Sequence, residues 1–349
     1  MVVSDETPTT RTPTIAVDAM GGDSGPEEIV KGVARASLDT TIQSLLVGDE
    51  RRIQEILDGV PYNPEQIAIE HTVEHVEMGE EPKAAIRKKR RASIAVAAQL
   101  VADGRADVVV TAGNTGAAML ACSEHFKMIP GVRHAALASV YPRHTEHAAQ
   151  DTLALLLDVG ATVRCDATEL VQFALMGNAY ARRVSKVAQP RVGLLNMGVE
   201  ETCGGEVLVE AHRRLRRIES INFIGNIEGN ELARGRADVI VCEGLMGNVV
   251  LKLLEGLAEV VDDLAGVARR ENWRWKLGIM MLASGFGKTR DLTDYAAYGG
   301  APLLGFCNLL IKSHGRSNAL AVHNAVKVAA KAVRDDVTGE IAAAIQALG

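Results

Sequence analysis

Aromatic residues make up only 3% of the 349-residue chain. So few rings leave little for the stacking platforms that carry single-stranded nucleic acids or sugars. A basic excess is also missing. The 38 Lys and Arg stand against 44 Asp and Glu, a formal charge of −6, the reverse of what a general nucleic-acid binder shows. The five cysteines, Cys122, Cys165, Cys203, Cys242 and Cys307, are an odd, scattered set without a C-x-x-C pair. That excludes a disulfide scaffold and points to reduced thiols of a cytosolic protein, mostly in the core. No apolar run of about 18 residues occurs, so a membrane span is not expected. The charge-free stretch from Tyr295 to Ile311 is broken by Gly299-Gly300-Ala301-Pro302 and Asn308, and it reads as a loop plus a buried strand.

Familiar catalytic signatures are absent as well. There is no G-x-G-x-x-G, no H-E-x-x-H and no G-x-S-x-G, and the nine histidines lack zinc-ligand spacing. Gly285-Phe-Gly-Lys-Thr289 resembles the end of a P-loop, but that motif's first Gly would fall on Leu282. It also follows a helix-like segment rather than a strand, so a nucleotide cradle is excluded there. With no carboxylate cluster in sight, no metal is expected.

What the chain does have is a 47% apolar fraction, 33 glycines and a regular alternation of strand-like and helix-like segments. Met1 to Thr14 holds five Thr, two Pro and no apolar core, and reads as a disordered lead-in (residues 1–14) rather than a signal peptide. From residue 15 to 349 we expect one α/β domain, although the length alone would allow two. Short apolar runs at Ile15–Asp18, Ser44–Gly48, Ile67–His71, Asp107–Thr111, Thr152–Asp158, Arg191–Leu195, Asn222–Gly225 and Asp238–Cys242 read as strands. Helical patterns fill the gaps, including one long helix from Pro82 to Ala102 and another from Leu245. Such alternation predicts a largely parallel sheet with helices on both faces.

In such sheets ligands bind beyond the carboxyl ends of the strands. Five of these ends carry Gly with Asn, Asp or Thr: Ala19 to Pro26, Ala112 to Gly116, Asn196 to Gly198, Gly225 to Gly229 and Glu243 to Asn248. Backbone N–H groups exposed by Gly, next to a helix start, suit an anion, so a polar cleft is expected. Two basic regions stand apart. Lys83, Arg87, Lys88, Lys89, Arg90 and Arg91 crowd the start of a predicted helix, with Lys83, Arg87 and Arg90 or Arg91 on one face. This is either a solvated face or a site for an anion or partner, since cations are disfavoured at a helix start. At about 267–291, basic residues flank both tryptophans and a stripe of Trp273, Leu277, Met280 and Met281. That pattern suits a membrane-surface tip or a packed dimer interface.

Taken together, these segments resemble one family, the PlsX-type phosphate acyltransferases of bacterial phospholipid synthesis. The matching blocks are Val17-Asp-Ala-Met-Gly-Gly-Asp23 with Pro26; Pro82 with Ala85, Arg87 and Lys89; Ala112-Gly-Asn-Thr-Gly-Ala117; Leu157-Asp-Val-Gly-Ala161; Gln172 to Gly177; Arg191 to Asn196; Asn222 to Glu228; Gly247-Asn-Val249; Tyr298-Gly-Gly-Ala301; and His314-Gly with Ser317. They run in family order over about residues 14 to 335. Departures are the absence of Lys from Thr202-Cys-Gly-Gly-Glu206, Glu243-Gly-Leu-Met246 for Asp-Gly-Phe-Thr, Ala92 for Ser, and His134 for Pro.

The resemblance implies a fold like that of isocitrate and isopropylmalate dehydrogenases, in a homodimer. It implies transfer of a long acyl chain from acyl carrier protein to inorganic phosphate, without cofactor or metal. The acyl phosphate would feed a membrane glycerol-3-phosphate acyltransferase, and the protein would be cytoplasmic, held peripherally at an anionic membrane surface. Nucleic acid is not an expected partner. Phosphate attack on a thioester needs an anion held in place and a stabilised oxyanion. Gly21, Gly22 and Asp23 with Asn114, Thr115 and Gly116 are the expected cradle, Asn114 in the catalytic role. Arg87 and Lys89 would bring positive charge, while Asn196, Asn226, Asn248 and Ser317 would contact substrate. His314 is the candidate proton donor to the leaving thiolate, or else a turn histidine. Trp273, Leu277, Met280 and Met281 are the expected membrane contacts. Readings of another class are an NAD-dependent decarboxylating dehydrogenase, a CoA-dependent phosphotransacylase on the same fold, or a non-enzymatic membrane-surface scaffold.

Overall fold

The computed structural model describes residues 12–142, 153–271 and 299–348. Strand β1 (Thr14–Asp18) leads to α1 (Glu27–Asp39), β2 (Gln43–Gly48), α2 (Glu50–Leu57) and β3 (Ile67–His71). Then come α3 (Pro82–Lys88), α4 (Ser93–Ala102), β4 (Val108–Thr111), α5 (Thr115–His125) and β5 (Ala136–Pro142). Next are β6 (Leu153–Leu157), α6 (Ala167–Arg183), β7 (Arg191–Leu195), α7 (Gly205–Leu215) and β8 (Asn222–Ile227). They are followed by α8 (Gly229–Leu232), β9 (Val239–Val241) and α9 (Gly244–Glu271). The last described elements are β10 (Ala301–Leu304), β11 (Leu309–Lys312), α10 (Ala319–Arg334) and α11 (Val337–Gln346).

The chain divides into two compact units. One holds residues 1–135, 179–188 and 298–349, the other 136–178 and 189–297. The strands of the first unit run in the order β3-β2-β1-β4-β11-β10, parallel except for the β10–β11 hairpin. Those of the second run β5-β6-β9-β7-β8, parallel except for β5 against β6. All four residues of β4 are buried, so this Val-rich run is covered on both faces, as in parallel sheets generally. Helix α4 packs on β1, β2 and β4, and α10 on β1, β4 and β11. The predicted mostly parallel α/β architecture is therefore what the chain adopts.

Four local expectations are corrected. The helix expected over Pro82–Ala102 is two helices, α3 and α4, separated at residues 89–92. The preceding segment pulls that stretch out of register: Glu74 accepts the Arg91 N–H on its side chain (3.0 Å) and the Ser93 N–H on its carbonyl (2.8 Å), and Thr72 donates to the Arg91 carbonyl. Lys83 and Arg87 thus lie on a helix that Arg90 and Arg91 do not share. Strand β5, an Ala-Leu-Ala-Ser-Val-Tyr-Pro run, was not expected. The described part of the Tyr295–Ile311 stretch contains two strands, β10 and β11, rather than one. The thiols are free, but only Cys122 and Cys242 are buried; Cys307 is exposed and the other two are half-buried.

Residues 1–11 of the expected lead-in lie outside the described residues, as do Trp273, Leu277, Met280 and Met281 of the basic tip.

Candidate active site

The first unit brings three strand ends side by side. In-register partners on neighbouring parallel strands point to the same face, and the register pairs Asp18 with Thr111 and Thr111 with Lys312. The row is polar although all three residues are buried. Thr111 Oγ1 donates to Asp18 Oδ2 at 2.7 Å. Lys312 Nζ donates to the carbonyls of Ala112 (3.2 Å) and Ser313, tying the turn after β4 to the turn after β11. Burial raises the Asp18 carboxyl above its ordinary range, against hydrogen bonds from Ser93, Thr111 and Met20 and the positive charge of Lys312.

Above this row the backbones of two Gly turns touch. A Cβ on Gly21 would lie 2.5 Å from Asp18 Oδ2 and 2.7 Å from the Gly113 nitrogen, so no side chain fits there. Gly22, at a φ of +93°, stands against Ala112 and the Gly315 carbonyl. The Asp23 N–H donates to that carbonyl at 2.8 Å. The structure therefore brings Gly21, Gly22 and Asp23 together with the turn at residues 112–116 and with the loop carrying His314 and Ser317.

Asn114 caps α5, its Oδ1 accepting the Ala117 N–H at 3.1 Å. Its Nδ2 donates to the carbonyls of Met78 (3.0 Å) and Glu80 (3.1 Å). Both ends of the amide thus grip backbone and fix the entrance to α5. The N–H groups of Thr115 and Gly116, first in α5, have no intrahelical acceptors. Lys89 turns inward and donates to the His75 carbonyl (2.8 Å) and to Glu80, whose carboxyl it holds below the ordinary range. Arg87 is exposed. The Nδ1 of His314 accepts the Arg316 N–H at 3.2 Å, so the neutral ring carries its proton on Nε2.

The second unit collects the other predicted residues. Asn196 donates to the Cys203 carbonyl (3.0 Å) and accepts from the Met197 N–H (2.8 Å). Asn226 bonds His212 Nδ1 (2.9 Å) and the Glu200 carbonyl (2.7 Å), and lies within β8, which runs beyond Gly225 to Ile227. A bulge opposite Val192 and Gly193 lets Gly225, at a φ of +94°, continue the strand, so this turn begins two residues later than expected. Asn248 donates to the Val159 carbonyl at 3.1 Å. At the end of β6, Asp158 accepts from the N–H groups of Leu137, Gly160, Ala161 and Thr162 and from the Thr162 hydroxyl. Burial pushes the nearby Cys165 thiol up to about 11, so it is not a thiolate nucleophile at neutral pH.

Sequence reasoning missed Lys312 and Ser313, the polar end of β11. The missed signal was Lys312 closing an otherwise apolar strand that enters a Gly turn. Among the described residues no group of three or more His, Cys, Asp and Glu could hold a metal ion, and no helix is long and apolar enough to cross a membrane.

Glycine turns set over a buried polar row at the ends of parallel strands define the class as a mostly parallel α/β protein with helices packed on its sheet. Solved structures of that class match in fold. A phosphotransacetylase from Streptococcus pyogenes matches with a TM-score of 0.61 at 16% identity, over 92% of this chain and 94% of that one. The EutD phosphotransacetylase from Staphylococcus aureus matches with 0.58 at 15%, over 92% and 94%. The chain belongs to the fatty acid synthesis protein family of PlsX-type phosphate acyltransferases, whose model matches residues 13–340. It is 41% identical over 334 residues to a phosphate acyltransferase of Nitratidesulfovibrio vulgaris (strain DP4), covering 95% of this chain and 94% of that protein. To those of Pelotomaculum thermopropionicum and Thermosynechococcus vestitus it is 42% identical, covering 96% and 95% of this chain and 95% of each relative.

Proposed function

We propose that this chain transfers a long acyl group from the thioester of acyl carrier protein to inorganic phosphate, giving acyl phosphate for phospholipid synthesis. The observation that carries the reading is the 41% identity to a phosphate acyltransferase along 95% of the chain. The cradle's chemistry agrees with it. A phosphate oxygen already carries the charge needed to attack a thioester carbonyl, so the protein's task is to hold it in place and stabilise the tetrahedral oxyanion. The N–H groups at Gly21, Gly22, Asp23, Thr115 and Gly116 serve as donors, and Asn114 holds that turn in shape. Arg87 supplies charge at the mouth, and Lys89 acts through the Glu80 loop that it braces. The C–S bond then breaks, and the His314 Nε2–H donates a hydrogen bond that stabilises the departing thiolate, which takes its proton from solvent. Asn196, Asn226 and Asn248 act on the acyl donor through the loops they close.

The same reading makes the chain a cytoplasmic homodimer on a fold related to isocitrate and isopropylmalate dehydrogenases. The exposed row Leu245, Val249, Leu253, Leu257 and Val260 on α9 supports a dimer contact. The basic tip at 267–291 would rest on an anionic membrane surface, where a membrane glycerol-3-phosphate acyltransferase consumes the product. Incubation of purified protein with acyl-acyl carrier protein and phosphate, followed by hydroxylamine trapping, should give acyl hydroxamate in proportion to phosphate. Trapping independent of phosphate would overturn the reading, and a rate greater with acyl-CoA would reassign the donor.

A further inference from the structure

Ser313 and Ser317 bracket the loop between β11 and α10, and each is only 3% exposed. Their hydroxyls are buried without a hydrogen-bond partner. Buried hydroxyls are normally paired, since an unmade bond costs the folded state, so two in one loop call for an explanation. Their backbones are firmly placed. The Ser313 N–H donates to the Thr111 carbonyl (2.8 Å) and the Ser317 N–H to the His314 carbonyl (3.0 Å). The N-terminus of α10 does not supply the missing chemistry, because its Ala319 N–H goes to Glu28 (2.7 Å) and its Ala321 N–H to Asn318 (3.0 Å). The buried ammonium of Lys312 lies next in the chain, on the Ser313 carbonyl.

We infer that the Ser313 and Ser317 hydroxyls are the donors that seat a tetrahedral phosphate oxyanion at the end of β11, with the Lys312 charge beneath. This deepens the phosphate-acceptor reading above and rests on it for the identity of the anion. The Asp23 carboxylate borders the middle of the loop: a Cβ on Gly315 would lie 3.1 Å from Asp23 Oδ2. A carboxylate repels a fully ionised anion but accepts a hydrogen bond from one that keeps a proton, which hydrogen phosphate does and sulfate does not at neutral pH.

The test uses the full chain without acyl donor, titrated with orthophosphate by calorimetry and by the shift of its melting temperature. Removing an unpaired buried hydroxyl relieves a cost in the free protein, so Ser313→Ala, Ser317→Ala and the double variant should melt no lower than wild type. Their orthophosphate affinity should fall at least tenfold, and the melting shift should disappear. Ser313→Thr and Ser317→Thr, which keep the hydroxyl, should bind more tightly than the Ala variants. Wild type should prefer orthophosphate to sulfate and to methyl phosphate. Undiminished phosphate binding in the double Ala variant overturns the proposal, as does a lower melting temperature with the phosphate response intact. Tighter binding of methyl phosphate, or equal binding of sulfate, overturns the assignment of the seat to orthophosphate. Hydroxamate trapping on wild type in parallel separates failure of the seat from failure of the acyltransferase reading.

Discussion

The strand ends of the two units look alike in sequence and differ in what they leave unspent. In the second unit each predicted asparagine is committed to a neighbouring group: Asn196 to Cys203 and Met197, Asn226 to His212 and Glu200, Asn248 to Val159. Asp158 is likewise saturated by the turn that follows it. The first unit spends Asn114 in the same way, yet keeps two unpaired hydroxyls and a buried Asp18–Thr111–Lys312 row. Gly and Asn after a strand therefore mark a closed turn in both units. A buried lysine beside two unpaired buried hydroxyls is what singles out the first as the place for an anion.

Removing the charge should break that contrast most severely. Lys312→Met leaves the Ala112 and Ser313 carbonyls without their donor and takes a nearby positive charge from buried Asp18, at a cost of about 1–3 kcal/mol for each hydrogen-bonding group left stranded. Urea unfolding should show it. Adding Asp18→Asn should recover part of the loss, because removing both charges is cheaper than stranding one. The pH response has a definite sign. With its pKa raised, folded Asp18 holds its proton to higher pH than the unfolded chain does. This group therefore takes stability away as pH climbs from about 4 through the raised value. Wild-type stability relative to Asp18→Asn should decline over that window, and a rising difference would contradict the burial argument.

Two glycines separate crowding from function. A Cβ at Gly244 in the second unit would lie 2.2 Å from the Thr162 carbonyl oxygen and 2.5 Å from Asp158 Oδ2, as tight as at Gly21. Gly21→Ala and Gly244→Ala should each lose about 1–3 kcal/mol through overpacking. Only the first should weaken orthophosphate binding; calorimetry showing equal weakening in both would erase the distinction between the units. Asn114→Ala should cost about 1 kcal/mol as a lost helix cap, and lower turnover by distorting the α5 entrance. Asn114→Asp keeps the capping oxygen and loses the donors to Met78 and Glu80, so it should regain stability more than rate in the hydroxamate assay.

Much of this was legible in the residues. Val-rich runs ended by Gly gave β1 and β4, and the same turns pointed to an anion. What was hidden depended on contacts distant in sequence. Lys88-Lys-Arg-Arg91 are good helix formers, and nothing local shows that Glu74 will take the N–H groups of Arg91 and Ser93 and end α3. Ala136 to Pro142 lacks a strong β signature and is a strand because β6 pairs with it. Lys312 became visible only when register set it beside Thr111. A single serine such as Ser313 carries no pattern, and only burial without a partner distinguishes it.

The smallest effect belongs to the surface of the first unit. Arg87, Lys88 and Arg90 are exposed, and Arg90 reaches Glu124 at 3.2 Å. Exposed pairs of this kind add little stability, so reversing the three charges should leave the melting temperature nearly unchanged. If the acidic carrier protein approaches here, encounter is steered by these charges and screened by salt. Arg87→Glu, Lys88→Glu and Arg90→Glu together should raise the KM for acyl-acyl carrier protein several-fold at low ionic strength, and the gap to wild type should close as salt is added. Because Arg87 is also proposed to bring charge to the anion, Lys88→Glu with Arg90→Glu serves as the control. In that pair the KM for orthophosphate should stay at the wild-type value while the KM for the carrier rises. A carrier KM unmoved by all three reversals places the docking surface elsewhere, and a salt-independent rise assigns the loss to Arg87 and the anion rather than to steering.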